Sequence, residues 1–195
     1  MTLKLNGSTS GSVSIDAPAS TTGGADRTVT CPDANGTMAL TSNILFTSYA
    51  IICDQKSAGT NGGNPTQNAW TARDLNTEIA DPDSIVSIAS NRFTLGAGNY
   101  LIKWSAPFFH PDRVVTRLYD HTNSAVIQYG QANYGAASDS ELAICTGIGR
   151  ATPSGSTAYE LQYYADNSDT NGLGIDTPDD EGVCIYSTVE IYKEV

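Results

Sequence analysis

"NRFTLGAGNYLIKWSAP", residues 91–107, holds two apolar pieces separated by Gly96-Ala97-Gly98-Asn99. Successive side chains of a strand alternate across its sheet. Phe93 and Leu95 therefore share one face of the first piece, and Tyr100, Ile102 and Trp104 share one face of the second. These five side chains are expected in a core. Gly96 and Gly98 read as turn residues, because chain reversal can require positive backbone angles that glycine adopts without steric cost. Leu101, Lys103 and Ser105 take the opposite face. With apolar content on both faces, the stretch predicts a contact between chains in addition to a core.

Outward from this stretch the pattern repeats. Strand-like runs recur from residue 46 to residue 195, among them "SYAIICDQK", "VVTRLYDH", "ELAICTGIGRA" and "TAYELQYYAD", and none keeps a helical period. In the final run, "GVCIYSTVEIYKEV", simple alternation puts Val183, Ile185, Val189 and Ile191 on one face and Tyr186, Thr188, Glu190 and Tyr192 on the other. Residues 1–45 have a different texture. They contain no aromatic residue, and short β-prone pieces ("LKL", "SVSI", "RTVTC", "TMAL") alternate with Gly, Ser and Pro turns. Such a segment cannot build a core of its own, so it is either a flexible tail or an arm ordered by pairing with other chains or a larger assembly, and its patterned strands favour the second. The expected organisation is an arm over 1–45 and an all-β head over 46–195.

Charge and motifs exclude several functions. Ten Lys and Arg against 21 Asp and Glu give a net charge of −11, which repels nucleic-acid phosphates and anionic lipid. No apolar run approaches the roughly 20 residues of a helical membrane span, and the first residues lack the apolar centre of a cleaved signal. Cys31, Cys53, Cys145 and Cys184 have no metal-ligand spacing. They are expected as buried thiols, a Cys53–Cys184 bridge being the lesser alternative. His110 and His121 are the only histidines, and no nucleophile elbow, zinc-binding H-E-x-x-H or phosphate loop accompanies them. Glu160, Asp166 and Asp74 could serve glycoside hydrolysis only if the fold brought two of them together, and no enzyme is expected. Arg113 and Arg117 read as a polar patch or as ion-pair partners. The acidic stretch with Asp166, Asp169, Asp176, Asp179 and Asp180 lacks the spacing of an EF-hand. It reads as a solvated loop, with calcium as the lesser alternative and no other cofactor.

The phrase F-T-L-x-A-G-x-Y-L-I, Phe93 to Ile102, together with "YAIICDQKSAGTNGG", "WTARDLNTE", "TRLYD" and the terminal "YSTVEIYKEV", resembles the jelly-roll heads of bacteriophage virion proteins, related to the complement and tumour-necrosis-factor head fold. The pieces "LKLNGSTSGSVSIDAPA" and "ADRTVTCPDANGTMALT" resemble attachment segments of phage tail fibres. The resemblance implies a double-sheet jelly roll assembled as a homotrimer, with Tyr186, Tyr192 and Leu101 in the trimer contact. It implies a virion location, attachment to other virion proteins through residues 1–45, and adhesion to a host surface glycan or protein. A capsid decoration protein is the first alternative, and a polysaccharide-cleaving enzyme the second.

Overall fold

The structure, a computed structural model, describes residues 3–6, 12–15, 45–136, 141–176 and 182–195. The chain divides into two units, Met1–Met38 and Ala39–Val195. In the first, β1 (Leu3–Asn6) and β2 (Ser12–Ile15) pair antiparallel, with Leu3 opposite Ile15. The "RTVTC" and "TMAL" pieces lie outside the described residues, as do Cys31, Asp179 and Asp180.

The second unit is built from two antiparallel sheets, and the described residues include no helix. One sheet has five strands in the order β12 (Leu142–Ala151), β8 (Tyr100–Phe109), β14 (Val183–Glu194), β3 (Phe46–Ser57), β5 (Thr77–Ala80). The other runs β10 (Ala125–Tyr129), β9 (Asp112–Asp120), β13 (Thr157–Ala165), β7 (Arg92–Leu95), β6 (Val86–Ala89). In that second sheet, β11 (Asn133–Gly135) pairs with β9, and β4 (Thr71–Ala72) pairs with β13, which brings it to seven strands. The short strands β5 and β11 have too few residues to show an alternation and escape a reading by pattern.

The decisive stretch crosses from one sheet to the other. β7 pairs with β6 and β13, whereas β8 pairs with β12 and β14. The Gly96–Asn99 link is therefore a corner joining two layers, not a hairpin. That placement explains how both pieces aim their apolar faces inward: Phe93 and Leu95 descend from one sheet, and Tyr100, Ile102 and Trp104 rise from the other into one buried cluster. Only Gly98 of the two corner glycines takes a positive φ, at 155°. The tight hairpin lies just before it. Ala89 pairs with Arg92 across Ser90-Asn91, both at positive φ, as a two-residue turn matched to strand twist requires.

β12 inverts the usual distribution of size. Its inward residues are Ala143, Cys145, Gly147, Gly149 and Ala151, while Leu142, Ile144 and Ile148 point outward. The small inward side makes room for Trp104, which lies opposite Gly147. The indole reaches across the layers, and its Nε1 donates to Thr116 Oγ1 of β9 at 2.9 Å. A buried indole N–H needs such a partner.

Candidate functional site

The outward face of the five-stranded sheet is where bulk and apolarity collect. Strand register builds it in rows. Leu142 lies opposite Phe109 and Ile144 opposite Pro107, giving an apolar end to the face. At the other end, Leu101 of β8, Tyr192 of β14 and Tyr49 of β3 stand in one row. Next to it runs Ile148, Lys103, Glu190 and Ile51. Between the two apolar ends lies a row of small or polar residues, Thr146, Ser105 and Thr188, above which opens a groove of about 550 Å³. Leu142, Ile144 and Ile148 are 69%, 56% and 54% exposed. Solvent-facing aliphatic side chains aligned on a regular sheet make this face a candidate contact surface.

Charged side chains of β8, β12 and β14 on this face are paired with each other. Lys103 Nζ lies 3.3 Å from Glu190 Oε2, and the Tyr192 hydroxyl donates to the same carboxylate oxygen at 2.6 Å. The hydrogen bond from Tyr192 and the Lys103 ammonium outweigh partial burial and hold the Glu190 carboxyl below its ordinary range. The same bond raises the Tyr192 phenol. Arg150 and Glu194 close the corner of the face as a further ion pair. The free edge of β12 is covered by the segment after β10: Gln131 N donates to Thr146 O at 2.8 Å, and Asn133 Nδ2 donates to Ile144 O at 2.9 Å. Covering an edge in this way leaves the sheet face, not the edge, as the open surface.

The structure corrects the reading of β14. Its register with β3 shifts between Ile185 and Thr188, and such a bulge reverses which side chains point inward. Val183 and Ile185 are exposed, whereas Cys184, Tyr186, Val189 and Ile191 are buried. Tyr186 therefore does not share a face with Tyr192. Its hydroxyl donates to Thr60 O at 2.7 Å, and its ring lies against Gly174. Burial, first, and a hydrogen bond with Cys184 push its phenol well above the usual tyrosine range. Tyr192 and Leu101 remain on the outward face. Phe93, Leu95, Tyr100, Ile102 and Trp104 lie in the core.

The residues considered for catalysis are held apart in separate networks. Asp74 receives Lys56 and Asn91. Asp166 pairs with Arg113. Glu160 is buried on the seven-stranded sheet among Arg92 (2.7 Å), Gln162 (2.6 Å) and His121 (3.0 Å). His110 Nδ1 meets Asp169 at 2.7 Å, a bond that lowers the Asp169 carboxyl. Cys53, Cys145 and Cys184 are buried as thiols, and the Cys53–Cys184 bridge is not formed. Among the described residues no three metal-ligating side chains converge.

No family model matches this sequence, and no curated protein does. Solved structures match by fold. Murine APRIL at pH 5.0 aligns at a TM-score of 0.50 and 8% identity, over 75% of this chain and 98% of its own. Eiger TNF from S. frugiperda aligns at 0.50 and 11% identity, over 78% and 94%. The head is a TNF-like jelly roll. PRD1 vertex protein P5 aligns at 0.49 and 12% identity, over 77% of this chain and 99% of its own.

The jelly-roll head also has a second candidate surface, on the outer side of its seven-stranded sheet, where Arg117 lies among Trp70, Tyr119, Tyr129 and Tyr164. Sequence reading had no means of finding the outward bulk of β12 or this ring cluster. The first needs the facing of one strand, and the second joins residues from three strands and a loop.

Proposed function

We propose that this chain is a non-enzymatic bacteriophage virion protein whose jelly-roll heads associate as a homotrimer, acting as a tail fibre or fibre tip that adheres to the bacterial host surface. The observation that carries the reading is the inverted β12, which spends small residues on the core and displays Leu142, Ile144 and Ile148 to the outside. Together with Leu101, Tyr192 and Tyr49 they form a face that a second and third copy cover. The phage setting rests on the resemblance of Phe93–Ile102 and the terminal strand to phage head domains, and of residues 1–45 to attachment segments. With the five-stranded sheet covered by other copies, the seven-stranded sheet is the side left to meet a host.

Light scattering of the purified full chain tests the assembly: three times the chain mass is expected, and a monomeric mass overturns it. Binding to host cells, compared with cells stripped of surface polysaccharide, tests adhesion, and equal or absent binding to both overturns that part. Copy number in purified particles separates the two virion locations, with a dozen or so chains expected of a tail and hundreds of a decorated capsid.

A further inference from the structure

The outer face of the seven-stranded sheet holds an arginine in unusual company. Arg117 of β9 lies beside Gln162 of β13 and Tyr129 of β10 in register. Its guanidinium carbon is 3.9 Å from the centre of the Trp70 ring and 4.8 Å from that of Tyr119. Tyr129 and Tyr164 tilt against Trp70, with ring centres 5.9 and 5.6 Å away. Tyr129 is exposed, while Trp70, Arg117, Tyr119 and Tyr164 are half-buried.

Charge distinguishes Arg117 from its neighbours. On the same face Arg92 is paired with Glu160 and Arg113 with Asp166. Arg117 is held by neutral groups: its Nε donates to Gln162 Oε1 at 2.8 Å, and Gln162 Nε2 donates onward to Glu160 at 2.6 Å. That relay fixes the Gln162 amide with its oxygen toward Arg117. The Trp70 and Tyr119 rings beneath it hold the guanidinium in place, and no carboxylate among the described residues lies within ion-pair distance of it. A guanidinium so held, with its outer N–H groups unpaired, is suited to a carboxylate taken by two parallel hydrogen bonds. Beside it, Tyr129 presents an exposed ring with an apolar face and a polar tip, which fits the C–H face and hydroxyl rim of a sugar. In a chain of net charge −11, this is a local site of opposite preference.

We infer that this cluster binds a carboxylate-bearing saccharide, with Arg117 taking the carboxylate, Tyr129 stacking on the sugar ring, and Trp70 and Gln162 positioning Arg117. The inference names the ligand class of the adhesion reading and rests on it.

The full chain is titrated with trigalacturonate, trimannuronate and, as the neutral control, maltotriose. Of the two tryptophans, Trp104 is buried and Trp70 is in the cluster, so the change in tryptophan emission reports the site. A saturable change is expected with at least one uronate, at an affinity about tenfold or more above that for maltotriose. Arg117→Gln and Tyr129→Ala should each weaken it about tenfold or more. Tyr129 is exposed, so its variant keeps the fold even if Arg117→Gln does not, and melting curves check both. Absence of saturable binding to either uronate, equal binding of maltotriose, or unchanged affinity in Tyr129→Ala overturns the inference. Host-cell binding keeps the two readings apart. Cells bound without uronate binding sink this inference and leave adhesion standing, whereas uronate bound without cell binding upholds the site and sinks adhesion.

Discussion

The Trp104 indole occupies the space that a side chain at Gly147 would need: a Cβ built on Gly147 falls 2.0 Å from the ring atom Cζ2. Neither group can retreat, because Gly147 is paired with Trp104 in the sheet and the indole N–H is tied to Thr116. Gly147→Ala is therefore expected to destabilise the head by about 2–4 kcal/mol, at or above the usual cost of overpacking. Gly96→Ala is the contrast. Nothing lies within 4 Å of the added carbon and φ is not positive there, so the change should stay within about 0.5 kcal/mol or stabilise slightly. Chemical denaturation of the two variants checks both outcomes, and equal midpoints would refute the packing account.

Tyr186 and Ile144 separate interior from interface. Tyr186→Phe removes the donor to Thr60 O and leaves that carbonyl unpaired, which should cost about 1–2 kcal/mol. It should leave the assembly mass unchanged, since Tyr186 is buried within its own chain. A loss of mass in Tyr186→Phe with unchanged unfolding would place the residue in the contact after all.

Ile144→Asp should do the opposite. The side chain is 56% exposed on the free head, so the stability of the single chain should change by no more than about 0.5 kcal/mol. Covered by another copy, the same carboxylate would be buried without a partner, which costs several kcal/mol. Light scattering over a concentration series should show the proposed trimer giving way to monomer, and an unaltered trimer would move the proposed interface off this face.

How much of this was legible in the sequence follows from which forces are local. Alternation in Phe93–Leu95 and Tyr100–Trp104 gives the correct inward set, because each of those strands runs without a bulge. Their assignment to different sheets was not legible, since a glycine-rich corner and a hairpin share the same composition. In β14 the alternation fails at Tyr186-Ser187, where both residues are buried; the bulge depends on pairing with β3 and leaves no mark in "CIYSTV". The alternation of large and small residues in β12 was visible as "LAICTGIG", but not which set faces outward, which is decided by the volume of Trp104 on the neighbouring strand. The Arg117 cluster joins β9, β10, β13 and Trp70, so only the folded sheet brings it together.

Glu160 gives the head a pH dependence whose sign can be worked out. Burial raises its carboxyl, but hydrogen bonds from Arg92 and Gln162, with the charges of His121 and Arg92, bring it below its ordinary value of 4.5. A carboxyl with a depressed folded pKa binds protons more readily when unfolded, so its contribution is complete above about pH 4.5 and is lost as pH falls through the folded value. Glu160→Gln keeps the volume and removes the charge. At pH 7 it should lower stability by about 1–2 kcal/mol, because Arg92 loses its partner. On acidification below pH 4.5 the wild-type chain should lose stability faster than the variant, and the two should converge. Denaturation midpoints of both proteins measured from neutral to acid pH check this, and a gap that stays constant or widens toward acid would show that Arg92, Gln162 and His121 do not stabilise the carboxylate.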